Sequence, residues 1–209
     1  MKKRDFLRIG VFYDGTFFTY AQNYFWGKKY GWLSFQEFHK LIERYVETKM
    51  QGHSDYKIVY SAWFQGSHKE SLAREDNLRL DRRRHHDLLH AGIEPKNLPM
   101  SESQGEKGID VYMAVETLQI GLDDKIDVAI LITGDGDFVP LVRALMKNGV
   151  QVGIAFFEYE NEDHKSFVNE RLVSAANFAV NINSLENDRE FKAEFKTIFR
   201  QPETKKNKN

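Results

Sequence analysis

The chain has 209 residues, 41% of them hydrophobic and 29% charged, with no cysteine and a formal net charge of −1. That length holds one domain with a real core, and the composition is that of a globular protein rather than a disordered or fibrous one. The missing cysteines exclude disulfides, thiolate metal sites and a cysteine nucleophile, which suits a reducing, cytoplasmic setting, and the near-neutral charge gives no global argument for nucleic acid.

Met1-Lys2-Lys3-Arg4-Asp5 is basic, but no apolar run of signal-peptide character follows it. No apolar stretch approaches a membrane span, so no membrane association is expected. Residues 8–13 read as a strand. Thr16 to Phe25 opens a helix with Thr16 as its cap, and Ser34 with Glu37 forms a capping box for a helix over 35–50. Residues 57–64 are rich in β-branched and aromatic types and read as a strand. A long, charged helix is expected over 69–91, then a short edge strand over 93–98 and a polar loop over 101–106. Helical spacing resumes through Ile109, Met113, Leu118 and Ile120 and closes at Gly121. Residues 126–133 form a strand, 138–145 a helix ended by Asn148-Gly149, and 150–157 another strand. A helix near 165–175, a short apolar stretch at 178–180 and a terminal helix over 186–200 complete the pattern. Pro202 to Asn209 reads as a disordered, Lys-rich tail. The expected organisation is one domain over 1–185 and an appended helix and tail over 186–209. Its fold class is α/β, with a mainly parallel central sheet and helices on both faces.

Two apolar runs stop abruptly at acids. Ile9-Gly10-Val11-Phe12-Tyr13 ends at Asp14-Gly15-Thr16, and Ile130-Leu131-Ile132-Thr133 ends at Gly134-Asp135-Gly136-Asp137. Ligand sites of α/β proteins lie just past the carboxyl ends of such strands. Neighbouring strands would bring Asp14, Asp135 and Asp137 together. Carboxylates crowded in one crevice repel unless a cation joins them, and oxygen-only ligands suit Mg²⁺ or Mn²⁺. Asp137 also fits a plain helix cap before Phe138, and Asp14 an Asx-turn. Gly134 and Gly136 would let the chain bend tightly and leave room for a ligand. Thr133 could orient a carboxylate or a metal-bound water, or equally be an ordinary strand residue.

Asp110 opens a helix, either as a ligand or as a first-turn acid favoured by the helix dipole. Glu116 lies about 240° further round that helix and ranks lower. Lys107 is a candidate phosphate ligand. The Arg82-Arg83-Arg84 cluster could track a phosphate backbone, although its helix alternates acids and bases in the manner of a self-paired solvated face. Asp127, at the opposite strand end from Asp135, reads as structural. Most of the early aromatics read as core, with Tyr20 or Trp26 as candidate base-stacking residues.

Phe12-Tyr13-Asp14-Gly15, Lys107-Gly108-Ile109-Asp110 and Thr133-Gly134-Asp135-Gly136-Asp137-Phe138 occur in the order found in NYN domains, and the chain resembles the LabA-like branch of these PIN-like nucleases over roughly residues 7–182. The resemblance implies a PIN-like, Rossmann-like three-layer sandwich. It also implies a Mg²⁺- or Mn²⁺-dependent endoribonuclease acting on single-stranded RNA. The acids at the family's catalytic and metal positions are Asp14, Asp110, Asp135 and Asp137. Many members carry Asn shortly after the first Asp. This chain reads Thr16-Phe17 there, a departure at a substrate-orienting position, and Thr16 is kept among the substrate-binding candidates with Lys107, Thr133, Arg82 and Arg83. A homo-oligomer is compatible with the pattern.

Two rivals remain. A haloacid-dehalogenase-type phosphatase would share Asp14-Gly15-Thr16 and the Gly134–Asp137 motif, but its nucleophilic Asp would stand where this chain has Phe12, which cannot form an aspartyl-phosphate. A non-catalytic module binding RNA or a nucleotide is the other. It gains nothing from a pocket of acids facing phosphates.

Overall fold

The computed structural model describes residues 6–67, 75–99, 107–160 and 165–201. β1 (Phe6–Asp14) leads into α1 (Gly15–Gly27), then β2 (Trp32–Leu33), α2 (Phe35–Lys49), β3 (Asp55–Ser67), α3 (Glu75–His90) and β4 (Glu94–Pro99). α4 (Ile109–Leu122) precedes β5 (Val128–Ile132), a 3-10 turn (Gly136–Phe138) and α5 (Val139–Lys147). β6 (Gln151–Phe156), β7 (Tyr159–Glu160), β8 (Lys165–Ser166), α6 (Glu170–Ala175) and β9 (Phe178–Asn181) follow. A second 3-10 turn (Ile182–Asn187), α7 (Lys192–Thr197) and β10 (Phe199–Arg200) end the described chain.

The apolar runs become one six-stranded sheet in the order β4-β3-β1-β5-β6-β9. Every pairing in it is parallel. Parallel strands need covering on both faces, which explains their near-continuous apolar sequences. Alternation along β1 sends Ile9, Val11 and Tyr13 into one core, with residues of α1, α2 and α7. Phe12 goes into the other core, with residues of α4, α5 and α6. The three-layer α/β sandwich is thus observed.

The sheet order matters for function. From β1 the chain moves outward to β3 and β4, then returns to β5 on the other flank of β1. The carboxyl ends of β1 and β5 therefore bracket the reversal point, where open α/β sheets leave a ligand crevice. At the opposite end an ion pair fixes the same two strands. The Arg8 guanidinium donates to both carboxylate oxygens of Asp127, at 3.0 and 2.7 Å, and to the Asp124 carbonyl. Asp127 is thereby structural, as its position suggested.

Three local expectations change. The stretch expected as one helix over 186–200 is divided into the end of a 3-10 turn, α7 and β10, and β10 pairs antiparallel with β2. Its apolar residues Phe191, Phe195 and Ile198 are buried in the α1/α2-side core, which pulls the segment out of a straight helix. The helix near 165–175 shortens to α6 behind the β7–β8 hairpin. Ser34 sits at the N-cap of α2, but its side chain makes no capping bond. Its N–H instead donates to the Ile198 carbonyl at 2.7 Å, tying α2 to the end of α7. The loop over 101–106, the start of the charged helix and the tail from Pro202 lie outside the described residues. Among the described residues no helix is long and apolar enough to cross a membrane.

Candidate active site

Asp14 is the last residue of β1 and the first cap of α1. Its Oδ1 accepts from the Phe17 N–H at 2.9 Å, so Asp14 rather than Thr16 satisfies the helix's open donors. This holds the carboxylate at the strand's mouth with one oxygen turned to the helix. Its other oxygen, Oδ2, accepts from the Thr133 hydroxyl at 3.2 Å. Thr133 is fully buried and directly follows β5. Its hydroxyl oxygen also accepts from the Asp135 N–H at 3.2 Å. One buried hydroxyl therefore bridges the ends of two adjacent strands, and through it Asp14 and the Asp135 backbone share a fixed relation.

Asp135 is itself a cap. Its Oδ1 accepts from the Asp137 N–H at 2.9 Å and starts the 3-10 turn, while the Asp135 and Asp137 side chains are exposed. The helix-cap reading attached to Asp137 thus belongs to Asp135. Gly134 and Gly136 leave their space to protein, not to a ligand. A Cβ on Gly136 would stand 2.4 Å from the Asn169 amide nitrogen, and one on Gly134 would press on the Phe167 carbonyl at 3.1 Å. Asn169 N–H donates to the Gly134 carbonyl at 2.9 Å, so the start of α6 clamps the acidic turn. Asn169 was not visible as a site residue, because nothing local marks a cap at 169 as lying beside a turn at 134.

Gly15 is required where it stands. A Cβ there would meet Trp63 Nε1 at 2.5 Å and the Phe64 carbonyl at 2.7 Å. Its absence lets α1 begin directly against β3. Behind it, Tyr13 packs edge-on against Phe18 and Phe35 and tilted against Trp63, a rigid aromatic floor under Asp14.

The remaining candidates spread out. Asp110 is exposed in the first turn of α4, after Gly108 in a left-handed conformation. Lys107 is exposed just before it, and Thr16 is half-buried in the first turn of α1. Arg82 and Arg83 are exposed on α3. Glu116 points to mid-sheet, accepting from Lys96 at 3.1 Å and the Tyr60 hydroxyl at 3.2 Å, which makes it structural. Tyr20 and Trp26 are exposed on α1, but Trp26 is twelve residues past Asp14, about 18 Å along the helix, and stacks on Trp32. Phe12 is fully buried, consistent with its having no nucleophilic role.

Among the described residues no group of three or more His, Asp or Glu side chains stands close enough to hold a metal ion. Asp14 and Asp135, held at adjacent strand ends by Thr133, carry the oxygen ligands a hard cation takes. Mg²⁺ keeps most of its waters and is commonly held by one or two carboxylates together with substrate phosphates.

No curated protein matches the chain. Among solved structures, a protein of unknown function from Vibrio parahaemolyticus is similar, with a TM-score of 0.59 and 20% identity over 91% of this chain and 99% of that one. That likeness concerns the fold alone. The NYN domain family model matches residues 8–182, most of the chain, and reaches all six strands of the sheet. The chain belongs to the NYN domain family, within the PIN-like nuclease superfamily.

Proposed function

We propose that this NYN domain is a metal-dependent endoribonuclease of cytoplasmic, LabA-like type, with Asp14 and Asp135 at the centre of its site. The observation that carries the reading is the Thr133 hydroxyl, buried at the sheet's reversal point and linking Asp14 Oδ2 to the Asp135 N–H. A buried hydroxyl that uses both its donor and its acceptor on the ends of two strands fixes acids in place before substrate arrives.

In this reading Asp14 and Asp135 would hold Mg²⁺ or Mn²⁺, with Asp110 and Asp137 contributing through water. A bound divalent ion polarises a phosphodiester, lowers the pKa of a water and stabilises the leaving oxygen. The chain's own part is orientation. Thr133 keeps Asp14 turned to the crevice, the Asp137 N–H keeps Asp135 turned, and Asn169 keeps the acidic turn against α6. Lys107, exposed just before α4, and Thr16, in the first turn of α1, would contact phosphate and sugar.

The test is cleavage of end-labelled single-stranded RNA with Mg²⁺, Mn²⁺ or EDTA. The expected outcome is metal-dependent cutting that drops at least ~10²-fold in Asp135→Asn, as for other groups that stabilise transition-state charge. Binding of RNA without cutting, unaffected by EDTA, would make the chain a binding module instead.

A further inference from the structure

The triple arginine of α3 divides in the structure. Arg82 and Arg83 are exposed, whereas the Arg84 side chain is only 28% exposed. Its Nη1 donates to the Gln65 Oε1 at 2.8 Å, and its guanidinium lies 5.9 Å from the Trp63 ring centre. The same Gln65 oxygen accepts from the Trp63 indole N–H at 3.1 Å. A neutral amide therefore aims a cation over an aromatic face. Among the described residues the ion-pair partner of Arg84 is Asp81, at 3.6 Å and 45% exposed, too long for a hydrogen bond and well hydrated. Burial works against this positive charge, and Asp81 offsets it only in part. A guanidinium nevertheless stays protonated. Among the described residues the hydrogen-bond partner of Arg84 is a neutral amide, which leaves N–H donors that an anion can engage.

Its location gives the anion. Asp14 pairs in register with Phe64, the residue between Trp63 and Gln65. Trp63 Nε1 abuts Gly15, the residue after Asp14. Neighbouring strands run about 4.8 Å apart, so the Gln65 backbone lies one strand over from Asp14 and one residue past its register partner, at the same carboxyl end of the sheet.

We propose that Arg84, aimed by Gln65 and Trp63, binds an RNA phosphodiester next to the one cleaved at Asp14 and Asp135. This rests on the ribonuclease reading above and adds a positioning subsite on the β3 side of the crevice. The planar fork of arginine suits two phosphate oxygens, and its bond to Gln65 uses one of its five N–H donors. Arg84 touches the strand and not the scissile bond, so it sets affinity and register rather than the chemical step.

The experiment measures binding of a labelled single-stranded oligoribonucleotide in EDTA across a salt series, then cleavage with Mn²⁺. Wild type, Arg84→Gln, Gln65→Glu and a Lys147→Gln control on the exposed end of α5 are compared, with melting temperatures for each. Arg84→Gln should bind about 10-fold more weakly and flatten the slope of log K against log salt by about 0.7. KM should rise, with kcat at saturating RNA nearly kept. Gln65→Glu separates binding from folding. It keeps Arg84 and gives it a carboxylate partner, so melting should hold or rise while RNA affinity falls as in Arg84→Gln. A purely structural arginine would leave affinity and salt slope untouched in a folded Arg84→Gln, and that result overturns the proposal. If wild type cuts RNA but neither variant changes KM or salt slope, the subsite is wrong and the nuclease stands. If folded wild type neither binds nor cuts RNA, the ribonuclease reading falls and takes the subsite with it.

Discussion

His39 gives the fold a defined acid sensitivity. It lies on α2 with its ring 6.0 Å from that of Tyr13, the residue before Asp14. Its Nε2 is buried with no hydrogen-bond partner. Burial lowers its pKa from 6.5 to about 4, because the charged ring would lose its water and gain nothing. The folded state thus binds this proton more weakly than the unfolded state. Stability from neutral His39 is fully present above pH 6.5 and is lost as pH falls through about 4. The gap of roughly 2.5 pKa units, at 1.36 kcal/mol each, corresponds to about 3 kcal/mol. Other groups titrate in this range, so the quantity to measure is a difference. Urea unfolding of wild type and His39→Phe at pH 8, 6.5, 5 and 4 isolates it. Wild type should lose about 3 kcal/mol relative to the variant between the extremes. Parallel pH profiles, or an NMR titration of His39 near 6.5, would refute the assignment of a buried neutral ring. Since Tyr13 lies under Asp14, the same titration should loosen the site before the fold melts, and RNA assays below pH 5 should lose activity.

Three substitutions probe how the chain holds the site. Gly15→Ala should cost about 1–3 kcal/mol in denaturant unfolding, since its Cβ overlaps a buried indole and a carbonyl; a neutral result would mean that α1 shifts freely. Asp127→Ala should cost about 3 kcal/mol by leaving Arg8, which is 8% exposed, to the exposed Asp124, while Asp124→Asn, which suits the positive φ there and removes only the charge of a 73% exposed partner, should cost under ~1 kcal/mol. Equal losses would show that the pairing is not focused on Asp127. Thr133→Val keeps the shape but removes the bridge, so RNA cutting should fall about 10-fold with Thr133→Ser close to wild type.

The central strands were legible in the sequence because burial on both faces demands continuous apolar runs, and the acids closing two of them stand out against that background. Asp14 and Asp135 were legible as candidates for this reason. The cap of α1 was misplaced by two residues because Asp14 and Thr16 are both good caps, and only the strand's length decides between them. Sequence alone could not divide 186–200. The burial of Phe191, Phe195 and Ile198 against the α1/α2-side core overrides helical spacing, and a two-residue strand such as β10 has no periodicity to read. Sequence could name the Arg82-Arg83-Arg84 cluster but could not single out Arg84 within it. Alternating acids and bases make α3 look uniformly solvated, and only the tertiary contact with Gln65 and Trp63 separates Arg84 from Arg82 and Arg83.

A double-variant cycle on RNA cleavage tests the central claim most directly: single-turnover rates for wild type, Asp14→Asn, Asp135→Asn and both together, in saturating Mn²⁺. Acids that serve one centre lose their effect together. Each single variant should fall at least ~10²-fold, and the double variant should fall little further than the worse single. Undiminished cutting by either single variant, or losses that multiply in the double, would contradict a shared Asp14–Asp135 centre.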